Sequence, residues 1–94
     1  LRKTIAAEEV LRDTLLRRNS DPNLWFLLSE IQKENLNVGG YHQSRAEYFI
    51  LLGQSERALN ELQFALKLSQ DNFQTYEIIM TKINSLREKL NKRI

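Results

Sequence analysis

Apolar residues recur along this chain at every third or fourth position, the spacing that gathers them on one face of an α-helix. Helices of this kind account for nearly the whole sequence, so we predict an all-α fold of about five helices. The predicted helices are Lys3–Arg18, Pro22–Glu34, Tyr41–Leu52, a fourth from Ser55, and a long fifth after the Asp71–Asn72 break. The segment Asn35–Gly40 is predicted to be the longest loop, because its two glycines free the backbone.

Residues that start and stop helices stand at the predicted boundaries. Asp21 is a good N-cap and precedes a proline, which the first helical position tolerates. Gly53 follows the third helix and suits the left-handed conformation that often ends one. Ser55 is predicted to cap the fourth helix, and Asp71 with Gln74 resembles a capping box for the fifth.

The first and last helices carry apolar faces that predict how they pack. The inward side of the first is expected to hold Ile5, Ala7, Leu11 and Leu15. The last has the clearest helical period, through Tyr76, Ile79, Met80, Ile83, Leu86, Leu90 and Ile94. Such a stripe fits a coiled-coil seam, but it more often covers the end of a helical stack.

A displacement of 34 residues aligns the two halves of the chain. The aligned pairs are Leu15 with Phe49, Asn19 with Gly53, Leu24 with Ala58, Leu28 with Leu62 and Ile31 with Ala65. We therefore interpret residues 1–94 as one domain, with a degenerate repeat (1–38), a better repeat (39–72) and a capping helix (73–94). Arg12 departs from this frame, since it stands where Ala46 predicts a small residue. A rival frame that starts at Trp25 explains fewer positions.

Within Gly39–Asn72, small and large residues alternate in a specific order. Small, aromatic, turn, small, large and small residues stand at Ala46, Phe49, Gly53, Ala58, Leu62 and Ala65. This order resembles a tetratricopeptide repeat. The resemblance implies antiparallel helix pairs that stack into a right-handed solenoid, because one pair cannot bury its own apolar face. It also implies a protein-binding scaffold, in which the first helix of each pair lines a concave groove.

A closer resemblance covers Tyr41–Phe49 and Ala58–Lys67. This stretch departs from the general repeat pattern, with His42 at a usual aromatic position and Arg45 at a usual leucine position. It resembles the C-terminal tetratricopeptide region of bacterial periplasmic HExxH zinc metalloproteases, which act in the assembly and quality control of outer-membrane proteins. The resemblance implies a non-catalytic domain that docks substrates or assembly partners in the periplasm; without it, a cytoplasmic location is expected. The chain itself carries no HExxH motif.

The repeat frame also predicts which side chains face the groove. The predicted groove residues are Glu9, Asp13, Leu16, Gln43, Glu47, Ile50, Leu51, Glu77 and Thr81. This set is mildly acidic with apolar patches, so we expect it to suit an extended or basic protein segment better than a nucleic acid.

The composition of the chain argues against several other functions. Fourteen basic residues interleave with 12 acidic ones, the net charge is +2, and no aromatic residues alternate with the basic clusters, so nucleic-acid binding is not expected. The chain has no cysteine and one histidine, so we predict no catalytic residue, no metal site and no cofactor. No apolar run is long enough to insert into a membrane.

Four side chains admit a sharper interpretation. His42 lacks a second ligand at helical spacing, apart from Glu47 five residues on, so a packing or capping role is favoured. Arg45 is expected to face inward and to pair with a carboxylate. Trp25 is expected in the core, whereas Phe26 lies off the main apolar face.

Two alternatives to a metalloprotease domain stay open. One is a stand-alone adaptor or co-chaperone. The other is an oligomerisation module in which apolar residues at the two ends, Leu1, Ile5 and Leu16 or Leu86, Leu90 and Ile94, form a weak homodimer.

Overall fold

Residues 2–92 of the chain are described by a computed structural model. Within that range the structure contains five α-helices and no strand, which confirms the all-α prediction. The helices are α1 (Arg2–Arg17), α2 (Pro22–Glu34), α3 (Val38–Leu51), α4 (Ser55–Lys67) and α5 (Phe73–Asn91).

Each helix packs on the next helix along the chain. α1 lies against α2, α2 against α3, α3 against α4, and α4 against α5; within residues 2–92 no other two helices approach this closely at the backbone. The result is an elongated body with principal extents of 47 × 30 × 19 Å. The right-handed superhelix implied by the repeat pattern stays a prediction.

The main core lies between α3, α4 and α5. Three alanines at its centre, Ala46, Ala58 and Ala65, have no exposed surface. Their small side chains let the helices approach closely, and larger residues fill the space beside them: Phe49, Leu62, Ile79, Ile83 and Leu86. The apolar period predicted for the last helix therefore does face the core.

Leu86 corrects one expectation about the end of the chain. It is one of the end residues named for the homodimer alternative, which needs it exposed, but it is only 4% exposed and belongs to the main core. Leu90 is half-buried, and Ile94 lies outside the described residues. The opposite side of α5 carries exposed polar residues, including Glu77, Thr81 and Asn84. Leu86 therefore has little surface for contact with a second copy, and a homodimer through this end stays a prediction.

A smaller contact joins α1 to the rest of the molecule. Leu15 and Leu28 are 4% and 3% exposed, whereas Ile5, expected on the inward side, is 50% exposed. Ile5 is offset by about 80° around the helix from Leu15, given 100° per residue, so it lies beside the buried face. Between α2 and α3 the Ser44 hydroxyl donates a 2.6 Å hydrogen bond to Oε1 of Gln32, and both residues are buried.

The region predicted as the longest loop is instead the start of α3. The helix begins at Val38, because the Asn37 side chain caps it by accepting a 3.1 Å hydrogen bond from the backbone N–H of Gly40. Gly39 and Gly40 are therefore helical, and the turn between α2 and α3 spans residues 35–37.

The turns after α2 and α3 have the same hydrogen-bond pattern. Asn37 N–H donates to the Gln32 carbonyl and Leu36 N–H to the Lys33 carbonyl; residues 54 and 53 repeat both bonds after α3. This pattern needs a left-handed residue at its centre. Gly53 takes that position after α3 with φ of 74°, as predicted, but after α2 the position is held by Leu36 with φ of 60°.

At the starts of α4 and α5, the N-cap position in the structure differs by one residue from the predicted one. Ser55 is the first residue of α4 and the preceding Gln54 makes no capping bond. Asn72 caps α5 in place of Asp71, because its side-chain oxygen accepts a hydrogen bond from the backbone N–H of Thr75 at 3.1 Å. Asp21 caps α2 as predicted, through the backbone N–H of Asn23 at 3.0 Å.

Candidate binding groove

A groove of about 660 Å³ runs over the first half of α3, with α1 and α2 on one side and α5 on the other. Its apolar lining comes from Leu15, Leu16, Trp25, Leu28, Leu68 and Ile78. Its polar lining comes from Arg12, Gln32, Asn37, Gln43, Ser44, Glu47, Ser69, Asn72, Thr75 and Lys82, and Gly39 and Gly40 complete the surface.

The floor is shaped by the close approach of α2 to the start of α3. A Cβ at Gly40 would lie 2.6 Å from both Nδ2 of Asn37 and Nε2 of Gln32. Neither amide can move freely, since Asn37 caps α3 and Gln32 is bonded to Ser44. Only glycine therefore fits at position 40 without displacing a groove side chain, whereas a Cβ at Gly39 would meet nothing within 4 Å.

The α1 wall is held in place by Glu8. Its carboxylate accepts hydrogen bonds from Asn35 at 2.9 Å, from Asn37 at 3.1 Å and from Arg12 at 2.7 Å. Burial favours the neutral acid, but the hydrogen bond from Asn35, the Arg12 charge and the Asn37 hydrogen bond outweigh it, so the pKa of Glu8 lies below its ordinary value. Glu8 therefore stays ionised and fastens α1 to the α2–α3 turn.

The α5 wall meets the floor through an ion pair. Lys82 of α5 pairs with Glu47 of α3, and Ile78 lies one turn earlier on the same wall. Burial lowers the pKa of Lys82 from its ordinary value. This pair joins α3 to α5, two helices whose backbones do not pack directly against each other.

Trp25 reaches the groove from α2. It is half-buried, and its indole N–H donates a 2.8 Å hydrogen bond to the Asn19 carbonyl in the α1–α2 turn. The prediction of a core tryptophan is thus only partly met. Phe26, predicted to lie off the apolar face, is 42% exposed and packs on Tyr48 of α3 at 5.4 Å between ring centres.

Three of the nine predicted groove residues line this groove: Leu16, Gln43 and Glu47. The other six lie outside the lining. Glu9 and Asp13 are exposed on α1, Ile50 packs against the core, Leu51 is 39% exposed at the end of α3, and Glu77 and Thr81 are exposed on α5. On α5 the lining positions Ile78 and Lys82 follow the predicted ones by a single residue. Successive residues lie about 100° apart around a helix, so an offset of one residue turns a side chain away from the groove.

The charge of this groove differs from that of the predicted set, which stays a prediction. Four carboxylates were predicted, but Glu47 alone of them lines the groove, and Lys82 neutralises it. Arg12 and Lys82 were missed. Arg12 carried a usable signal, because it stands where the repeat requires a small residue.

A second polar cluster lies between α3 and α4 and is not part of the groove lining. Glu61 accepts from Nε of Arg45 at 3.1 Å and lies 3.2 Å from Nδ1 of His42. The inward ion pair predicted for Arg45 is therefore present, whereas the carboxylate beside His42 is Glu61 and not Glu47. The His42 ring also stacks on Phe64 at 5.2 Å. These contacts give His42 a packing role.

Residues 2–92 contain neither a cluster of metal-ligating side chains nor a membrane-spanning helix. No three His, Cys, Asp or Glu side chains in this range converge as a metal site would require. No helix in the same range has the length and apolar character needed to cross a bilayer.

A scan against protein-family models, a search of curated proteins and a search of solved structures each found no match to this chain.

Proposed function

We propose that this chain is a non-catalytic protein-binding domain, and that its groove holds an extended peptide segment of a partner. One observation carries the proposal: apolar side chains are left exposed on both walls of the groove. Leu16 on α1 is 82% exposed and Ile78 on α5 is 57% exposed. Covering such side chains gains roughly 1.5–3 kcal/mol each when burial is complete.

Polar groups in the groove suit a peptide main chain. The side chain of Gln43 on the floor makes no hydrogen bond with any described residue, so its amide can donate to and accept from a bound backbone. Apolar side chains around a few oriented polar groups are the usual lining of a ligand site. The helix-pair resemblance supports the same function, since stacked helix pairs commonly form concave binding surfaces.

The wider context of the domain is part of the proposal. The consecutive packing of the helices is the arrangement expected of a tetratricopeptide-like solenoid. The domain would then be the C-terminal part of a periplasmic zinc metalloprotease and dock substrates or outer-membrane assembly partners. An HExxH motif and a signal peptide in the parent reading frame would support this; their absence would leave a stand-alone adaptor or co-chaperone.

A peptide-display selection with this chain as bait tests the groove. Leu16→Glu and Ile78→Glu should each remove binding of the enriched peptides, because they place a carboxylate where an apolar contact is proposed. Val10→Glu and Phe73→Glu are matched controls: Val10 and Phe73 are 64% and 76% exposed, lie on the same two helices and do not line the groove. Failure to enrich any peptide, or equal loss with the controls, would remove the proposal.

Oligomerisation is a second candidate function that the exposed apolar residues of α1 favour. Ile5, Val10 and Leu16 are 50%, 64% and 82% exposed. Sedimentation at several concentrations separates the two functions, since a groove-binding monomer stays monomeric and an oligomerisation module does not. Ile5→Glu should abolish self-association if the face shared by Ile5 and Leu16, which lie about 20° apart around the helix, is responsible.

A further inference from the structure

The two ion pairs at the groove share an orientation that bears on what the groove binds. In each pair the side chain of the carboxylate is less exposed than that of the cation. We propose, building on the peptide-binding function above, that the groove selects acidic segments, with carboxylates of the partner meeting Arg12 on one wall and Lys82 on the other.

On the α1 wall, the Arg12 side chain is 55% exposed and that of its partner Glu8 is 13% exposed. The Glu8 carboxylate is further covered by the side-chain amides of Asn35 and Asn37. An approaching ligand therefore meets the guanidinium before it meets the carboxylate.

The opposite wall repeats this order. The Lys82 side chain is 44% exposed, whereas that of Glu47 is 20% exposed. Glu47 lies on the floor, on α3, and pairs with Lys82 of the α5 wall. The net charge of the lining does not reveal this difference in exposure, because each cation is balanced by its own carboxylate.

The neutral side chains of the lining act in the same direction. Oε1 of Gln32 already accepts from Ser44, and Oδ1 of Asn72 already accepts from the backbone N–H of Thr75. One acceptor site of each amide oxygen is thus used, while the side-chain NH2 groups of both residues have no hydrogen-bond partner among the described residues. A ligand that supplies acceptors, as a carboxylate does, complements this lining better than one that supplies donors.

An acidic peptide fits these groups better than a single-stranded nucleic acid. Nucleic acid bound without sequence preference stacks its bases on aromatic side chains. Trp25 is the one aromatic residue in the lining that the structure describes, and its hydrogen bond to Asn19 holds it half-buried. The described lining thus offers two cations but only one aromatic ring, too few for successive bases to stack on.

Three labelled peptides of about nine residues, which extend over roughly 30 Å, provide the probe. They repeat a leucine–serine–glutamate triplet, the same triplet with glutamine, and the same triplet with lysine. We expect the glutamate peptide to bind most tightly, and its advantage over the glutamine peptide to shrink as salt rises. A dinucleotide-repeat single strand of similar length serves as the competitor from the other class of macromolecule.

Exchange of one ion pair is the decisive variant. Glu47→Lys combined with Lys82→Glu keeps the pair and the net charge but turns the carboxylate outward. The glutamate peptide should weaken roughly twofold to fivefold, the loss typical of one exposed charge pair, and the lysine peptide should gain by a similar factor. Circular dichroism checks that the exchanged variant stays folded. If that variant is unfolded, Arg12→Gln is used instead and should weaken binding of the glutamate peptide by the same factor. Lys67→Glu, on the exposed surface of α4, is the control and should change neither peptide.

Each outcome separates this inference from the proposed function. Equal binding of the three peptides, lost with Leu16→Glu, would overturn the acidic preference and leave peptide binding in place. No binding of any peptide would remove both. Tighter binding of the nucleic acid than of the glutamate peptide would also overturn the inference.

Discussion

The carboxylate of Glu8 and the side-chain amide of Asn35 lie 2.9 Å apart, although 27 residues separate them along the chain. The same amide of Asn35 also donates to the Thr4 carbonyl at 3.1 Å. These bonds join α1 to the turn between α2 and α3. Because α1 supplies one wall of the groove, the position of that wall depends on a contact outside the groove lining.

Replacing Glu8 by alanine should therefore destabilise the protein. The change removes hydrogen bonds to a charged acceptor and leaves the amides of Asn35 and Asn37 without it, which typically costs about 1–3 kcal/mol. Urea unfolding measures the loss. Glu9→Ala is the control, since the neighbouring Glu9 is exposed and should change the free energy of unfolding little.

The same contact predicts an acid dependence. The pKa of Glu8 in the folded protein lies below its ordinary value of 4.5, so the ionised carboxylate adds stability above that pH and loses it as the pH falls through the depressed folded value. The difference in unfolding free energy between the natural chain and Glu8→Gln should thus be largest near about pH 7 and shrink toward about pH 3. A difference that grows on acidification would contradict the sign.

Two adjacent glycines should respond in opposite directions to the same change. Gly40→Ala places a methyl group 2.6 Å from two anchored amides and should cost about 1–3 kcal/mol through overpacking. Gly39→Ala meets nothing within 4 Å in a helix and should stabilise by roughly 0.5–1 kcal/mol. Thermal unfolding of the two variants gives the comparison, and equal shifts would show that the close approach at Gly40 is absent.

Substitutions at Leu36 and Gly53 should also change the stability of the protein in opposite directions. Leu36 is 83% exposed and sits at φ of 60°, where a side chain costs roughly 1–2 kcal/mol, so Leu36→Gly should stabilise the protein by about 1 kcal/mol. Gly53→Ala should destabilise it by about 1 kcal/mol, because φ there is 74° although space for a Cβ exists. Denaturant midpoints measure both changes.

The buried alanines of the core should not accept larger side chains. Ala46→Leu or Ala58→Leu should lower the free energy of unfolding by about 1–3 kcal/mol, because neither residue has any exposed surface. Ala6→Leu, on the exposed side of α1, is the control for an added side chain. Unchanged midpoints in both core variants would mean that α3 and α4 pack differently.

The core was the part of the fold that could be predicted, because burial imposes a period on the sequence. Helical spacing placed Ile83 in the core, and the repeat-like order of small and large residues placed Ala46 and Leu62 there. The start of α3 could not be placed this way, since Gly39 and Gly40 usually mark a loop. A side chain outside the helix, Asn37, decides its beginning by capping it.

The groove was harder to predict than the core for a physical reason. Core positions follow the helical period directly, since the buried face recurs every three to four residues. A groove wall is narrow, so Glu77 and Thr81 fall outside it while Ile78 and Lys82 line it. Arg12 and Glu8 meet through four-residue spacing that many surface pairs share. Their role in holding the α1 wall depends on the side-chain amides that bond to Glu8, which lie 27 or more residues away along the chain.

Because each described helix packs only on its neighbours along the chain, the groove is complete only while α1 is docked on α2. α1 touches the rest of the chain at the backbone through α2, while the main core joins α3, α4 and α5. In such a chain a terminal helix can detach while the remainder stays folded. Molecules with α1 detached lack one wall, so the measured affinity for any ligand of the groove equals the intrinsic affinity multiplied by the docked fraction. Substitutions at Glu8 would then weaken binding without touching the ligand, and a bound ligand would in turn protect the amides of α1 from hydrogen exchange.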